Sequence, residues 1–396
     1  MMKKLKVVLL AGFAALVLIV LLLAGWVLLD LRDLPDVSLL KQYRPPIASE
    51  ALDRNGRPLA QFYDGKYRVW APIAAMPPIV IQAVVIAEDD TFFGHQGVNY
   101  QAVWEALKHD VQRKRFARGG STITQQMIKN VLLSKEKTIK RKVREYVLAR
   151  RAEELLTKRR ILEIYLNEVE WGDNLHGIEA ASRYYFDKHV GELMPAEAAL
   201  LAGMLPNPRY YNPVKRPEKA LQRREQVLFN MHQAKVLSDE EYEQAKSAPL
   251  KLRDPSSRRF DFSRLESGSQ PCHLRVLEQA LSGIYGDAKL HRTGMTIRTT
   301  LDKTLQERIA GLSSAAASGE TPESVVAVKE GTEIRALACG ANEEQVRSIV
   351  NSYDPPLSNY DVVSLSVSSL DRSNILVPES SGSGSSPSDA PTSSQN

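Results

Sequence analysis

The stretch Pro77-Pro78-Ile79-Val80-Ile81-Gln82-Ala83-Val84-Val85-Ile86-Ala87-Glu88-Asp89-Asp90-Thr91-Phe92-Phe93-Gly94-His95-Gln96-Gly97 decides the fold. Pro77-Pro78 marks a helix start, since proline's fixed φ suits the first helical position. The apolar run from Ile79 to Ile86 predicts a mostly buried helix that reaches Glu88. Glu88 then lies in a last turn, where the helix dipole opposes negative charge and Asp89 and Asp90 add like-charge repulsion. The expectation is a carboxyl group with raised proton affinity, suited to a general base. Taken alone, the acidic triplet reads more readily as a solvated helix end.

About twenty residues on stands Arg118-Gly119-Gly120-Ser121-Thr122-Ile123-Thr124-Gln125-Gln126. The glycine pair permits backbone conformations that other residues resist, and Thr122 and Gln125 have the spacing of a capping box for a helix through Met127 and Ile128. Free amides at such a start attract phosphate, and Lys129, one turn on, adds a point charge. A third stretch, Lys137 to Glu145, opens a helix on which Ile139, Val143, Tyr146 and Val147 fit an apolar stripe. Arg141 and Lys142 stand four and three residues before Glu145, on its side of that helix. The plainer reading is a pair of exposed ion contacts; the functional one is a second carboxylate held among cations near a diphosphate.

These residues resemble those of the family 51 glycosyltransferases, the peptidoglycan transglycosylases found alone or as the first catalytic module of class A penicillin-binding proteins. The resemblance runs in order through Ile86 to Asp89 with Phe92, His95 and Gly97, then Gly119 to Gln126 with Lys129-Asn130, then Arg141 to Glu145. It continues through Ile161 to Asn167, Gly177 to Ser182 with Tyr185-Phe186, and Glu197 to Pro206 with Tyr211-Asn212-Pro213.

The resemblance implies polymerisation of a lipid-linked disaccharide-pentapeptide (lipid II) into glycan strands, with inversion at the sugar and release of undecaprenyl diphosphate. Glu88 would take the proton from the acceptor hydroxyl. Glu145 would assist the donor diphosphate alongside Lys129, Arg141 and Lys142, directly or with a divalent cation, Mg²⁺ or Mn²⁺; no cofactor is otherwise required. Fixed cations suit this task because the leaving diphosphate gains negative charge in the transition state. His95, Ser121, Thr122, Gln125 and Gln126 would line the cleft. At Lys137 relatives commonly carry an arginine that touches the donor phosphate; charge is kept here and the bidentate fork is lost. The implied fold is mainly α: a lysozyme-like lobe with a small membrane-apposed lobe between the first two motifs and the third.

The N-terminus agrees with a lipid substrate. Lys3, Lys4 and Lys6 precede an uncharged, mostly apolar segment from Val7 to Leu29, long enough at about 1.5 Å per residue to cross a core of about 30 Å. It reads as an uncleaved anchor with its lysines in the cytoplasm, which places everything after Asp30 outside the bacterial inner membrane. The 396 residues are 43% hydrophobic and carry a net charge of +5. The basic excess, densest around 108–118 and 135–160, suits anionic headgroups or diphosphate; the outward topology argues against nucleic acid. Other cell-wall synthesis proteins are conceivable partners. Cys272 and Cys339 suit no metal site and could pair in an oxidising compartment.

Glu50 to Ala60 reads as two short strands about an Asn-Gly turn, and resembles the family's lead-in. The organisation expected is a cytoplasmic tip and anchor over 1–33, a glycosyltransferase domain over 45–232, a helical end and linker over 233–290, a truncated transpeptidase-like α+β remnant over 291–365 and a disordered Ser/Gly/Pro-rich tail over 366–396. The remnant rests on Gly294 to Gln306 and the strand Ser324 to Val328. No lysine follows Lys329, so a Ser-x-x-Lys nucleophile is missing there and no transpeptidation is expected. Ser134 to Lys137 matches that spacing by chance. Two rival readings are a glycan-cleaving enzyme, which has no use for cations around Glu145, and a non-catalytic scaffold, which has no use for Glu88 and Glu145.

Overall fold

In a computed structural model, the structure describes residues 10, 12–15, 17–18, 21–22, 25, 29–101, 104, 120–134, 136, 138–172, 174–254, 271–310, 322–352 and 359–378. Two compact units form. The first comprises 1–49, 63–268 and 291–294, the second 50–62, 269–290 and 295–396.

The first unit is helical, and its helices are labelled here from Pro78. They are α1 (Pro78–Glu88), α2 (Ile123–Val131), α3 (Ile139–Leu155), α4 (Lys158–Glu168), α5 (Ile178–Phe186), α6 (Pro195–Met204), α7 (Pro217–Gln233) and α8 (Asp239–Ser247). A proline opens α1, as expected, and Val80, Ala83, Val84 and Val85 bury its inner face. One core joins these to Ile123 and Met127 of α2, Leu148 of α3, Ile161 and Tyr165 of α4, and Leu200 and Leu201 of α6. Short strands Tyr67–Arg68, Leu175–His176 and Glu170–Gly172 make a small sheet at its side. Arg68 is buried there, donating to the Asn167 carbonyl (2.9 Å) and to Glu168 (3.0 Å).

Helix α3 forms where the third stretch predicts it, with a different face inward. Ile139 is 81% exposed and Tyr146 is exposed too, whereas Glu145, Leu148, Ala149 and Ala152 are buried. The small residues at 149 and 152 let neighbouring backbone approach, which a bulky apolar stripe would prevent. Among the described residues no helix is long and apolar enough to cross a membrane. Much of the expected anchor, including 7–9, 19–20, 23–24 and 26–28, lies outside the described residues, as do 102–103, 105–119, 135 and Lys137 beside the motifs assigned to the membrane-apposed lobe.

The second unit corrects three expected boundaries. Strands Ser49–Leu52 and Pro58–Phe62 do flank a turn containing Asn55-Gly56, but they pair into a sheet with Thr296–Arg298, so the lead-in segment belongs to this unit. Helix Cys272–Tyr285, inside the expected linker, buries Leu274, Val276, Leu277 and Leu281 in its core; residues 255–270 of that linker lie outside the described set. Nor is 366–378 a tail, because Val367, Leu370, Ile375 and Leu376 are buried there. The serine-rich composition of that stretch masks four apolar anchors at irregular spacing. Residues 379–396 lie outside the described set.

An antiparallel sheet, in the order Glu333–Ala338, Ser324–Glu330, Tyr360–Ser366, is tied off at both edges. On one, Gln306 Nε2 donates to the Leu337 carbonyl (2.8 Å) while its Oε1 accepts from the Leu337 N–H (2.9 Å). On the other, Glu343 accepts from the Ser364 N–H (2.8 Å) and Arg347 donates to the Val362 carbonyl (3.1 Å). Cys272 and Cys339 form a disulfide across 67 residues of chain.

Candidate active site

Glu88 ends α1 and faces a cavity of about 190 Å³ lined also by Asp89, Asp90, Asn99, Gly120, Ser121 and Thr122. Its Oε2 accepts from Gln126 Nε2 at 2.7 Å, and the Gln126 carbonyl oxygen lies 3.4 Å from the buried hydroxyl of Tyr165. Burial is the main force raising the Glu88 pKa, with Asp89 adding a little. Gln126, Arg223 and Lys129 oppose it. The direction matches the sequence expectation and the leading cause differs: burial outweighs like-charge repulsion, and exposed Asp90 has no part.

The start of α2 is built as expected in one respect and not in another. Thr122 and Gln125 form a reciprocal capping box, the Gln125 N–H donating to Thr122 Oγ1 (3.2 Å) and the Thr122 N–H to Gln125 Oε1 (3.0 Å). The anion at this helix start is the protein's own: the Ile123 N–H donates to Asp89 Oδ2 at 3.0 Å. The amide cradle expected for phosphate is therefore filled by a carboxylate that the chain supplies. Gln125, buried and spent on the cap, offers the cleft nothing, and Thr122 Oγ1 donates to the Gly97 carbonyl at 2.7 Å. Of this stretch, Ser121 and Gln126 remain directed at the charged groups.

His95 completes the lock on Asp89. The Gly97 N–H donates to His95 Nδ1 (3.2 Å), which leaves Nε2 to carry the proton toward both Asp89 oxygens, each 3.0 Å away. His95 thus orients Asp89 instead of lining the cleft. Gly97 itself has φ +85°, and a Cβ there would stand 2.8 Å from the Ala149 carbonyl oxygen of α3. Only glycine fits this crossing of two backbones.

Glu145 of α3 is buried between two cations: Arg141 Nη1 donates to Oε2 at 2.9 Å, and Lys142 Nζ holds Oε1. Lys142 also donates to Ser121 Oγ (2.8 Å), joining the second stretch to the third. Lys129 has its pKa lowered by burial first, and its charge is felt by both Glu145 and Glu88. With Arg141 it lines a second cavity of about 530 Å³, shared with Lys66, Asn130, Ser134, Glu168, Glu170 and His176. Lys137 lies outside the described residues. Arg144, though within the same basic run, turns away to Asp30.

Arg223 of α7 escapes a sequence reading. Its charge favours ionised Glu88 from about 135 residues away in the chain (223 against 88), and its Nε is buried without a hydrogen-bond partner. As one of two adjacent arginines on an amphipathic helix it carries no local signal. For a metal, the fit is poor: both Glu145 oxygens are engaged by cations, and among the described residues no group of three or more His, Cys, Asp or Glu side chains is placed to hold an ion.

Residues 55–232 match the family model described as Transglycosylase. This stretch is a transglycosylase-family domain. It holds Glu88, the capping box, Glu145 and Arg223 alike. The chain is 41% identical over 229 residues to penicillin-binding protein 1A of Aquifex aeolicus, covering 58% of this chain and 31% of that one. It is 32% identical over 305 residues to penicillin-binding protein 1A of Vibrio cholerae, covering 77% and 36%. Against penicillin-binding protein 1A/1B of Bacillus subtilis it is 33% identical over 308 residues, covering 76% and 33%. The chain spans about a third of the length of these relatives. A crystal structure of penicillin-binding protein 1A from Haemophilus influenzae aligns with a TM-score of 0.39 at 19% identity, over 67% of this chain and 28% of that one, too loosely to bear on the fold.

Proposed function

We propose that the transglycosylase domain polymerises a lipid-linked disaccharide-peptide into glycan strands by inverting transfer from a diphosphate leaving group. The observation that carries this reading is the pairing of a half-buried Glu88, whose proton affinity desolvation raises, with a separate cationic cluster around Glu145, the two linked electrostatically through Lys129. Glu88 Oε2 is tied to Gln126, so Oε1 is the oxygen left to take the acceptor hydroxyl's proton as that oxygen attacks the donor sugar. The bond to the diphosphate breaks as the new glycosidic bond forms, and Lys129, Arg141 and Lys142 stabilise the charge that develops on the departing group. Glu145 keeps Arg141 and Lys142 in place. Two cations already stand where a divalent ion would, so turnover is proposed to survive EDTA.

The membrane part of the reading rests on the N-terminus. The described residues from Leu10 to Asp30 are helical, and Leu10, Phe13, Leu18, Leu21, Leu22 and Leu29 each leave more than half of their surface uncovered. Those described residues, apolar and bare, suit lipid, and an N-terminus embedded there would set the enzyme beside a donor that diffuses in the same plane. The test incubates the detergent-solubilised chain and its Glu88→Gln variant with labelled lipid-linked substrate and resolves glycan strands on a gel. Polymer from the wild type alone supports the proposal. No polymer from either favours a scaffold.

A further inference from the structure

Asp30 is the last of the described α-helical residues at the N-terminus and is held by the helix that carries Glu145. Arg144 Nε and Nη2 donate to Asp30 Oδ2 (2.8 Å) and Oδ1 (2.7 Å), a two-pronged pair, and Nη2 also reaches the Asp30 carbonyl at 3.1 Å. Lys140 Nζ lies 2.5 Å from Oδ1. The Asp30 side chain is only 5% exposed. A carboxylate met by a planar guanidinium fork is bound in one preferred geometry.

The chain beyond it is fastened as well. Val37 and Leu40 are buried in the core of the first unit. Arg160 of α4 donates to the carbonyls of Leu40 (3.3 Å) and Tyr43 (2.7 Å), and the Tyr43 hydroxyl donates to Glu168 Oε1 (2.7 Å). From Asp30 to Tyr43 the polypeptide is thus a strap bonded to α3 and α4, the helices on either side of the cationic cavity, in place of a free tether.

We infer that Asp30 is a positioning residue: through Arg144 and Lys140 it fixes the end of the apolar helix to α3, so that Glu145 and its cations keep one height and tilt over the bilayer. This rests on the membrane reading above. A donor whose diphosphate lies at the headgroup level presents its leaving group at a fixed depth, and a lobe swinging on a loose tether would meet it in the right pose only part of the time. Freeing the strap should therefore weaken capture of the lipid donor and leave the chemical step alone.

The experiment uses the full chain in phosphatidylglycerol-containing vesicles without reductant. A dye on Glu240→Cys, an exposed position of α8, and an acceptor on the lipid headgroups report the distance distribution by energy transfer; turnover of the lipid-linked donor is measured in parallel. The expected result is a narrow distribution that broadens in Asp30→Ala, with KM for the vesicle-borne donor raised several-fold and kcat held. The exchanged pair Asp30→Arg with Arg144→Asp should restore both. An Asp30→Ala distribution as narrow as wild type overturns the inference, as does a fall in kcat with KM unchanged. Broadening in a protein that makes no polymer would sink the proposed activity and leave the clamp standing.

Discussion

Replacing Gly97 by alanine tests the joint between fold and site. Gly97 has φ +85°, and its added Cβ would lie 2.8 Å from the Ala149 oxygen, 3.0 Å from the Ala149 carbon and 3.1 Å from Glu153 Cγ. The left-handed conformation costs a residue with a Cβ about 1–2 kcal/mol. Relieving an overpacked contact adds about 1–3 kcal/mol, and here at the upper part of that range because the nearest neighbours are helix backbone. A sum near 4 kcal/mol lowers the melting temperature of a unit of this size by about 8–16 °C. The described tryptophans, 70, 104 and 171, fall in the first unit, so tryptophan fluorescence during heating in detergent follows that unit. Displacing Gly97 also pulls its carbonyl from Thr122 and its N–H from His95. Activity should accordingly fall further than stability explains, at temperatures where the variant is still folded. A melting shift under about 2 °C would refute the reasoning, since it would mean the backbone crossing is loose enough to accept a methyl group.

Glu88→Gln should stabilise the protein at neutral pH. A carboxyl whose folded pKa is raised contributes stability below its unfolded pKa and loses it as pH rises through the folded value, so the gain in melting temperature should shrink as pH drops below the ordinary glutamate range. Arg223→Ala removes a cation that favours ionised Glu88, and the acidic limb of kcat/KM against pH should move to higher pH; a limb that stays put would remove Arg223 from the site. Reducing the Cys272–Cys339 bond, which closes 67 residues of chain, should cost the second unit about 4 kcal/mol, seen as a lower midpoint in urea by far-ultraviolet circular dichroism. Thr122→Ala should cost about 1 kcal/mol through the lost cap, with a larger loss of turnover because Thr122 also holds Gly97.

What the chain spelled out locally came through. Pro78 at a helix start, the Thr122–Gln125 box, the Asn55-Gly56 turn and the three-and-four spacing of Lys142 and Arg141 before Glu145 are each settled by neighbours within a few residues. Where tertiary contacts decide, the reading went astray. The inner face of α3 is chosen by what α3 packs on, which favours Ala149 and Ala152 over Ile139 and Tyr146. The anion at the start of α2 comes from Asp89, 34 positions before Ile123, which spacing along the chain does not announce. Arg223 and the partnership of 50–62 with 295–298 are long-range in the same sense, and composition hid the anchors of 366–378.

The sheet with side chains bonded along both borders has a consequence outside catalysis. Strands with bare rims invite other strands, and proteins crowded together on a membrane would be the first to stack that way. Gln306 occupies one rim and Glu343 with Arg347 the other, so each copy's sheet is finished within itself. Another strand that approached would meet side chains of the same chain already bonded at Leu337, Ser364 and Val362.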